Sequence, residues 1–191
     1  YTRSNPVVQV FRPDGVFVTG WREDDPRTVP HAIRFDREGN VWLVDVGLHV
    51  ARRFDRDGRP NLVLGVPGEP GADERHLDKP TDIAFASDGG IWVSDGYGNN
   101  RVVHYDAAGR FVRSCGVLGV ERGSFSLPHS IAIDSRDRVY VADRNNVRVQ
   151  VFDREGRLLD VWSNVLVPWT FSILPDDSIW VCGSAPMKIG R

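Results

Sequence analysis

Residues 128–157 read PHSIAIDSRDRVYVADRNNVRVQVFDREGR, and the chain repeats that run twice in altered form. Residues 30–59 read PHAIRFDREGNVWLVDVGLHVARRFDRDGR, and residues 80–110 read PTDIAFASDGGIWVSDGYGNNRVVHYDAAGR. A further copy opens at 168 with PWTFSILPDDSIWVCG, and residues 7–21, VVQVFRPDGVFVTGW, match the second half of a unit. In each copy the proline and the residue ending the second apolar run stand 15 apart: Pro30 and Asp45, Pro80 and Asp95, Pro128 and Asp143, Pro168 and Gly183. Apolar residues alternate within a copy, as in Ile131 and Ile133, Val139 and Val141, Val149 and Val151. Such period-two alternation marks half-buried antiparallel strands. Turns of the D-x-x-G type, such as Asp36–Gly39 and Asp55–Gly58, separate them. No helical periodicity of any length is present. Short strands in units of about 40–50 residues predict the blades of an all-β propeller. The expected blades are 30–65, 80–116 and 128–162, with 1–21 ending one blade and 168–191 starting another. The chain 1–191 thus reads as a single incomplete propeller domain holding about four to five blades.

Bulk composition narrows the function classes. With 191 residues, 41% of them hydrophobic, the chain can build one core of ordinary size. A net charge of −2 with both signs dispersed argues against nucleic acid as a partner. No apolar run reaches the roughly 18 residues that a membrane-spanning helix needs, so no membrane partner is expected. Cys115 and Cys182 are the two cysteines, too few for a disulfide framework. The chain starts at Tyr1 with no signal-peptide pattern, so the native start, with any targeting information, is expected to be missing.

The residue after the repeat proline changes from copy to copy: His31, Thr81, His129, Trp169. Histidine thus occupies alternate blades, at the entry of the strand nearest a propeller's channel. In a six-bladed ring, three such histidines would meet one metal from three sides and leave a fourth position open, as a catalytic zinc requires. That geometry places the third beyond residue 191. A histidine beside a turn is more often structural, and a repeated residue can be a remnant of blade duplication. Asp45, Asp95 and Asp143 read as holders of turn backbone. Trp42, Trp92, Tyr140 and Trp180 share one strand position and read as inter-blade packing.

The run VYVADRNNVRVQVF, with its V-x-V-x-D-x-x-N-x-R-V-x-V-F pattern, resembles an NHL repeat, and that resemblance implies a six-bladed propeller of which this chain is a fragment. A more specific set runs in order from about residue 3 to about residue 185: VPHAIRFDREGNVWLVDVGLHV, HLDKPTDIAF, VSDGYGNNRVV, GSFSLPHSIAID and VADRNNVRVQVF. Together these resemble the peptidyl-α-hydroxyglycine α-amidating lyases. The resemblance implies zinc held by His31 and His129 with the third ligand beyond residue 191. It implies a catalytic Tyr97, active-site arginines at Arg144 and, less directly, Arg3, and a calcium bound by the Ile33 backbone carbonyl. Its implied reaction is C–N cleavage of a peptidyl-α-hydroxyglycine, or a related carbinolamide, to an amide and glyoxylate. The implied partner is a small peptide-like substrate, and the implied setting is secreted or periplasmic. Gly98 stands where animal members carry a cysteine, so that disulfide is absent.

Other readings stand beside this one. Tyr97 could be a turn aromatic, and Arg144 could pair with a carboxylate of a neighbouring blade, as Arg101 and Arg148 are expected to do. His49 and His76 read as pocket rim or core, and the loop Pro67–Gly71 as a pocket border. A non-catalytic NHL scaffold would bind a protein or other ligand on one face. A calcium-dependent lactonase propeller would need Glu, Asn and Asp at its metal, a set not visible at the channel positions. Zinc, no metal or calcium would distinguish the three.

Overall fold

The computed structural model describes residues 6–22 and 25–185. Among these residues sixteen strands form five antiparallel sheets in chain order. The first sheet pairs β1 (Val8–Phe11) with β2 (Phe17–Trp21). The next contains β3 (Pro30–Phe35), β4 (Val41–Asp45), β5 (Val50–Phe54) and β6 (Pro60–Leu64). It is followed by β7 (Asp82–Phe85), β8 (Ile91–Asp95), β9 (Arg101–Tyr105) and β10 (Phe111–Cys115). The fourth sheet contains β11 (Pro128–Ile133), β12 (Val139–Asp143), β13 (Arg148–Phe152) and β14 (Leu158–Trp162). The last pairs β15 (Val167–Ile173) with β16 (Ile179–Ser184). The helical content among the described residues is one 3-10 turn at Arg144–Asn146, and no helix there could cross a membrane.

Each four-stranded sheet is a simple meander because its turns are self-contained. Asp36 shows how: its Oδ1 accepts the backbone N–H of Glu38 and of Asn40, and its carbonyl accepts that of Gly39. Gly39 sits at φ +79°, open to glycine without steric cost. The fifteen-residue spacing is the register of the first hairpin, in which Pro30 faces Asp45, Pro128 faces Asp143 and Pro168 faces Gly183.

The sheets stack face to face, and the first strands β3, β7, β11 and β15 lie side by side along the inner edge of the arc. Alternation puts one aromatic of each second strand into the seam with the next sheet. Trp42 packs with Ile83 and Val93, Trp92 with Ile131 and Val141, and Tyr140 with Phe171 and Ile179. All three rings are 1% exposed. Trp180 occupies the same position in the last sheet but is 65% exposed, so inter-sheet packing does not describe it among the described residues.

The expectation that Arg101 and Arg148 reach a neighbouring sheet's carboxylate is corrected. Each pairs within its own sheet, Arg101 Nε with Asp95 at 3.0 Å and Arg148 Nε with Asp143 at 2.7 Å. The reason is register: Asp95 faces Arg101, and Asp143 faces Arg148, across the hairpin joining the second and third strands.

Replacing the buried ring of Trp92 by alanine is expected to cost about 3–5 kcal/mol through lost burial and the cavity left between sheets. Urea unfolding reads this as a lower midpoint at unchanged slope. A loss below about 1 kcal/mol would show that the seam does not depend on the aromatic.

Candidate functional site

Two repeat positions build the site, and backbone geometry explains both. In the first hairpins the ladder slips between Pro30 and Ala32, between Pro128 and Ser130, and between Pro168 and Thr170. His31, His129 and Trp169 are therefore the extra residues of β-bulges, which leave the ladder and re-aim their side chains. Proline suits the start of such a strand because it has no N–H to donate. The second position follows the aspartate that ends the second strand. Val46, Tyr97 and Arg144 donate their backbone N–H to the carbonyls of Val29, Lys79 and Leu127, each the residue before the repeat proline. Tyr97 and Arg144 are thus equivalents in neighbouring sheets, although the extra Gly96 hides this in the sequence. A side chain at Gly96 would run into the Pro128 carbonyl, with a Cβ only 2.0 Å from that oxygen.

These positions converge at the inner edge. His31 Nδ1 lies 2.7 Å from the Thr81 carbonyl, and His129 Nδ1 lies 2.7 Å from the Trp169 carbonyl. A carbonyl oxygen only accepts, so both Nδ1 atoms carry hydrogen, and in a neutral ring Nε2 then keeps its lone pair. Both Nε2 atoms meet the Tyr97 hydroxyl, at 3.1 Å from His31 and 3.0 Å from His129. A phenol has one hydrogen to give, so it satisfies one of these two acceptors at a time. The arrangement is short by one positive centre, a proton or a cation, at the point where the rings meet.

Burial pushes the His129 imidazole below its usual pKa, and the nearby His31 and Arg144 act in the same direction, while the hydrogen bond to Trp169 opposes them. Arg144 stacks its guanidinium over Trp169, 3.9 Å from the ring centroid, and Trp169 in turn packs edge-on against His129. The cluster borders an open cleft of about 310 Å³ whose lining includes His31, Thr81, His129, Ser130 and Trp169.

The structure therefore brings together His31, Tyr97, His129 and Arg144. Arg3 lies outside the described residues. Ile33 lies two residues beyond His31 on the same strand, and its carbonyl accepts a hydrogen bond from Arg34 Nη1 at 3.0 Å. His49 lies in the turn between β4 and β5, where it meets Lys79 and Asp78, and His76 lies in the connection between β6 and β7, where it meets Asp73. The Pro67–Gly71 loop is tied down by Asn99, whose amide donates to the Gly71 carbonyl at 2.8 Å. Among the described residues no cluster of three or more His, Cys, Asp or Glu is placed to hold a metal. Trp169 and the Thr81 carbonyl were missed as site components. Their place after the repeat proline was the available signal.

Sequence and fold comparisons agree with this architecture. The NHL repeat family matches residues 77–105 and 125–152. The chain carries NHL repeats. Over 137 residues it is 40% identical to rat peptidylglycine alpha-amidating monooxygenase, covering 68% of this chain and 14% of that protein. A probable peptidyl-alpha-hydroxyglycine alpha-amidating lyase of Caenorhabditis elegans is 38% identical over 128 residues, covering 65% of this chain and 37% of that protein. Human NHL repeat-containing protein 3 is 35% identical over 170 residues, covering 83% of this chain and 49% of that protein. The NHL-repeat chain thus spans less than half the length of these curated relatives. Among solved structures, virginiamycin B lyase from Staphylococcus aureus superposes with a TM-score of 0.66 at 14% identity, covering 91% of this chain and 55% of that one. A gluconolactonase from Xanthomonas campestris gives 0.67 at 19%, covering 92% and 62%. At such identities these two establish the fold alone.

In metal-free protein the His129 ring is expected to titrate below 6.5, the ordinary value, and Arg144→Gln to raise it. Proton NMR of the imidazole checks both. The sign follows: as pH falls below about 6.5 the unfolded chain takes up a proton that folded His129 resists. This histidine therefore lowers stability in acid and has no such effect above that range. A His129 titrating at or above 6.5 would contradict the burial that causes the shift.

Proposed function

We propose that this chain carries the metal-binding face of a zinc-dependent lyase that cleaves the C–N bond of a peptidyl-α-hydroxyglycine, or a related carbinolamide, to an amide and glyoxylate. The observation that carries this reading is the meeting of two Nε2 lone pairs on one phenol hydroxyl, with an arginine beside them. The two histidines fit zinc by donor chemistry. Each ring has its Nδ1–H held by a backbone carbonyl, the usual partner that fixes a metal-ligating ring and leaves Nε2 for the metal. The third ligand is expected outside the described residues. Relatives bearing the lyase name support a lyase-related role.

When bound, zinc supplies Lewis acidity that polarises the substrate hydroxyl and eases its ionisation. The residues of the chain do the rest. Arg144 is held flat by Trp169 and offers its guanidinium fork to the substrate carboxylate. Tyr97 stands where the hydroxyl proton leaves; having first given its own hydrogen to solvent, it acts as a phenolate and takes that proton. The O–H electron pair becomes the new C=O bond, the C–N bond breaks, and the amide nitrogen takes the proton back from Tyr97. Proton, oxygen and nitrogen are all accounted for in the amide and the aldehyde acid.

A non-catalytic propeller scaffold is the second reading. It is favoured by the match to NHL repeat-containing protein 3, which covers 83% of this chain against 68% for the amidating monooxygenase and 65% for the amidating lyase. Metal analysis separates the two. In the full-length protein, which would supply the third ligand, about one zinc per chain is expected, lost in His31→Ala and in His129→Ala. Tyr97→Phe is expected to retain zinc and to release glyoxylate at least about 100-fold more slowly from an α-hydroxyglycine substrate. Zinc that ignores both histidine substitutions would leave the scaffold reading standing.

A further inference from the structure

The resemblance to the amidating lyases places a calcium at the Ile33 carbonyl, yet this chain sets a side chain there. Arg34 Nη1 donates to that carbonyl at 3.0 Å, and Arg34 Nη2 donates to Asp82 Oδ2 at 2.8 Å. Asp82 lies on β7 and is 2% exposed. The same Oδ2 accepts the Ser130 hydroxyl from β11 at 2.6 Å, and Oδ1 accepts the Ile83 backbone N–H at 2.9 Å. A carbonyl and a carboxylate facing one point are hard oxygen donors of the kind calcium takes. Here both already face one guanidinium, whose flat fork reaches two acceptors at once. A divalent ion on the same oxygens would have to displace that fork or stand close to its positive charge, and like charges at such range repel strongly. Calcium also needs six to eight oxygens. The described residues offer no cluster of three or more His, Cys, Asp or Glu side chains for a metal.

We propose that the Arg34 guanidinium is the resident cation at this point of the channel, replacing calcium and making the chain independent of it. Arg34 ties β3 to β7 through Asp82, and Ser130 carries the tie on to β11, so one buried carboxylate joins the inner strands of three successive sheets. Lysine would not serve equally, because an ammonium lacks the planar fork that spans a carbonyl and a carboxylate.

The test is thermal unfolding of the purified chain with excess EGTA and with millimolar calcium, beside elemental analysis for calcium. It does not depend on whether the chain is a lyase, and calcium is counted apart from zinc. Expected results are no bound calcium and a wild-type Tm that neither reagent moves. Arg34→Ala should lower Tm by roughly 5 °C, because it strips the buried Asp82 of its cation. Arg34→Lys should recover less than half of that loss. If Arg34→Ala does not fold, Arg34→Gln replaces it, and the wild-type calcium response still decides. One calcium per chain, a Tm raised by calcium in the wild type, or an Arg34 variant as stable as the wild type would each overturn the proposal.

Discussion

At the end of the second strand in each four-stranded sheet lies an aspartate with no solvent exposure: Asp45, Asp95 and Asp143. Burial of a carboxylate is costly unless its oxygens are occupied, and here they are. Oδ1 of each accepts a backbone N–H from the incoming connection, at Val29, Asp78 and Ser126. Oδ2 takes the arginine of the same sheet, Arg52, Arg101 or Arg148. Burial pushes the carboxyls of Asp95 and Asp143 above the ordinary range, while the arginine and amide donors pull against it. Removing such an arginine would leave a buried charge without its partner, which is why these pairs matter more than exposed ones.

That contact also aims the site. The arginines reach past their aspartates to the carbonyls of the connection, Arg101 to Ala72, Asp73 and His76, and Arg148 to Val120, Glu121 and Ser124. The connection is pinned one or two residues before the repeat proline, which sets where His31 and His129 leave their strands at the inner edge. A histidine written after that proline therefore faces the channel. The residue whose N–H binds back to the residue before the proline faces the same space. Tyr97 and Arg144 stand there because the backbone of their turns is tied to Lys79 and Leu127.

The alternation of histidine with Thr81 and Trp169 also has a physical role. Each histidine leans on the carbonyl of the next sheet's post-proline residue, so the sheets without histidine orient the rings of those with it. Thr81 continues the chain of contacts by donating its hydroxyl to the Pro128 carbonyl at 2.7 Å. The site is consequently a property of neighbouring sheets in contact, and no single repeat contains it.

Period-two alternation, the fifteen-residue spacing and the D-x-x-G turns are local, and they determined the strands and hairpin registers without any knowledge of the third dimension. The post-proline position of His31 and His129 was legible for the same reason, since a repeat carries one residue to one place in every copy. Contacts between copies depend on sheet-to-sheet distance and side-chain direction, which no spacing encodes. Only the tertiary structure decided that Arg101 and Arg148 turn to their own sheets, that Trp169 supports both His129 and Arg144, and that one phenol hydroxyl faces two imidazoles. It likewise decided that Arg34 reaches across to Asp82, because 48 residues separate two side chains that lie in contact across a seam.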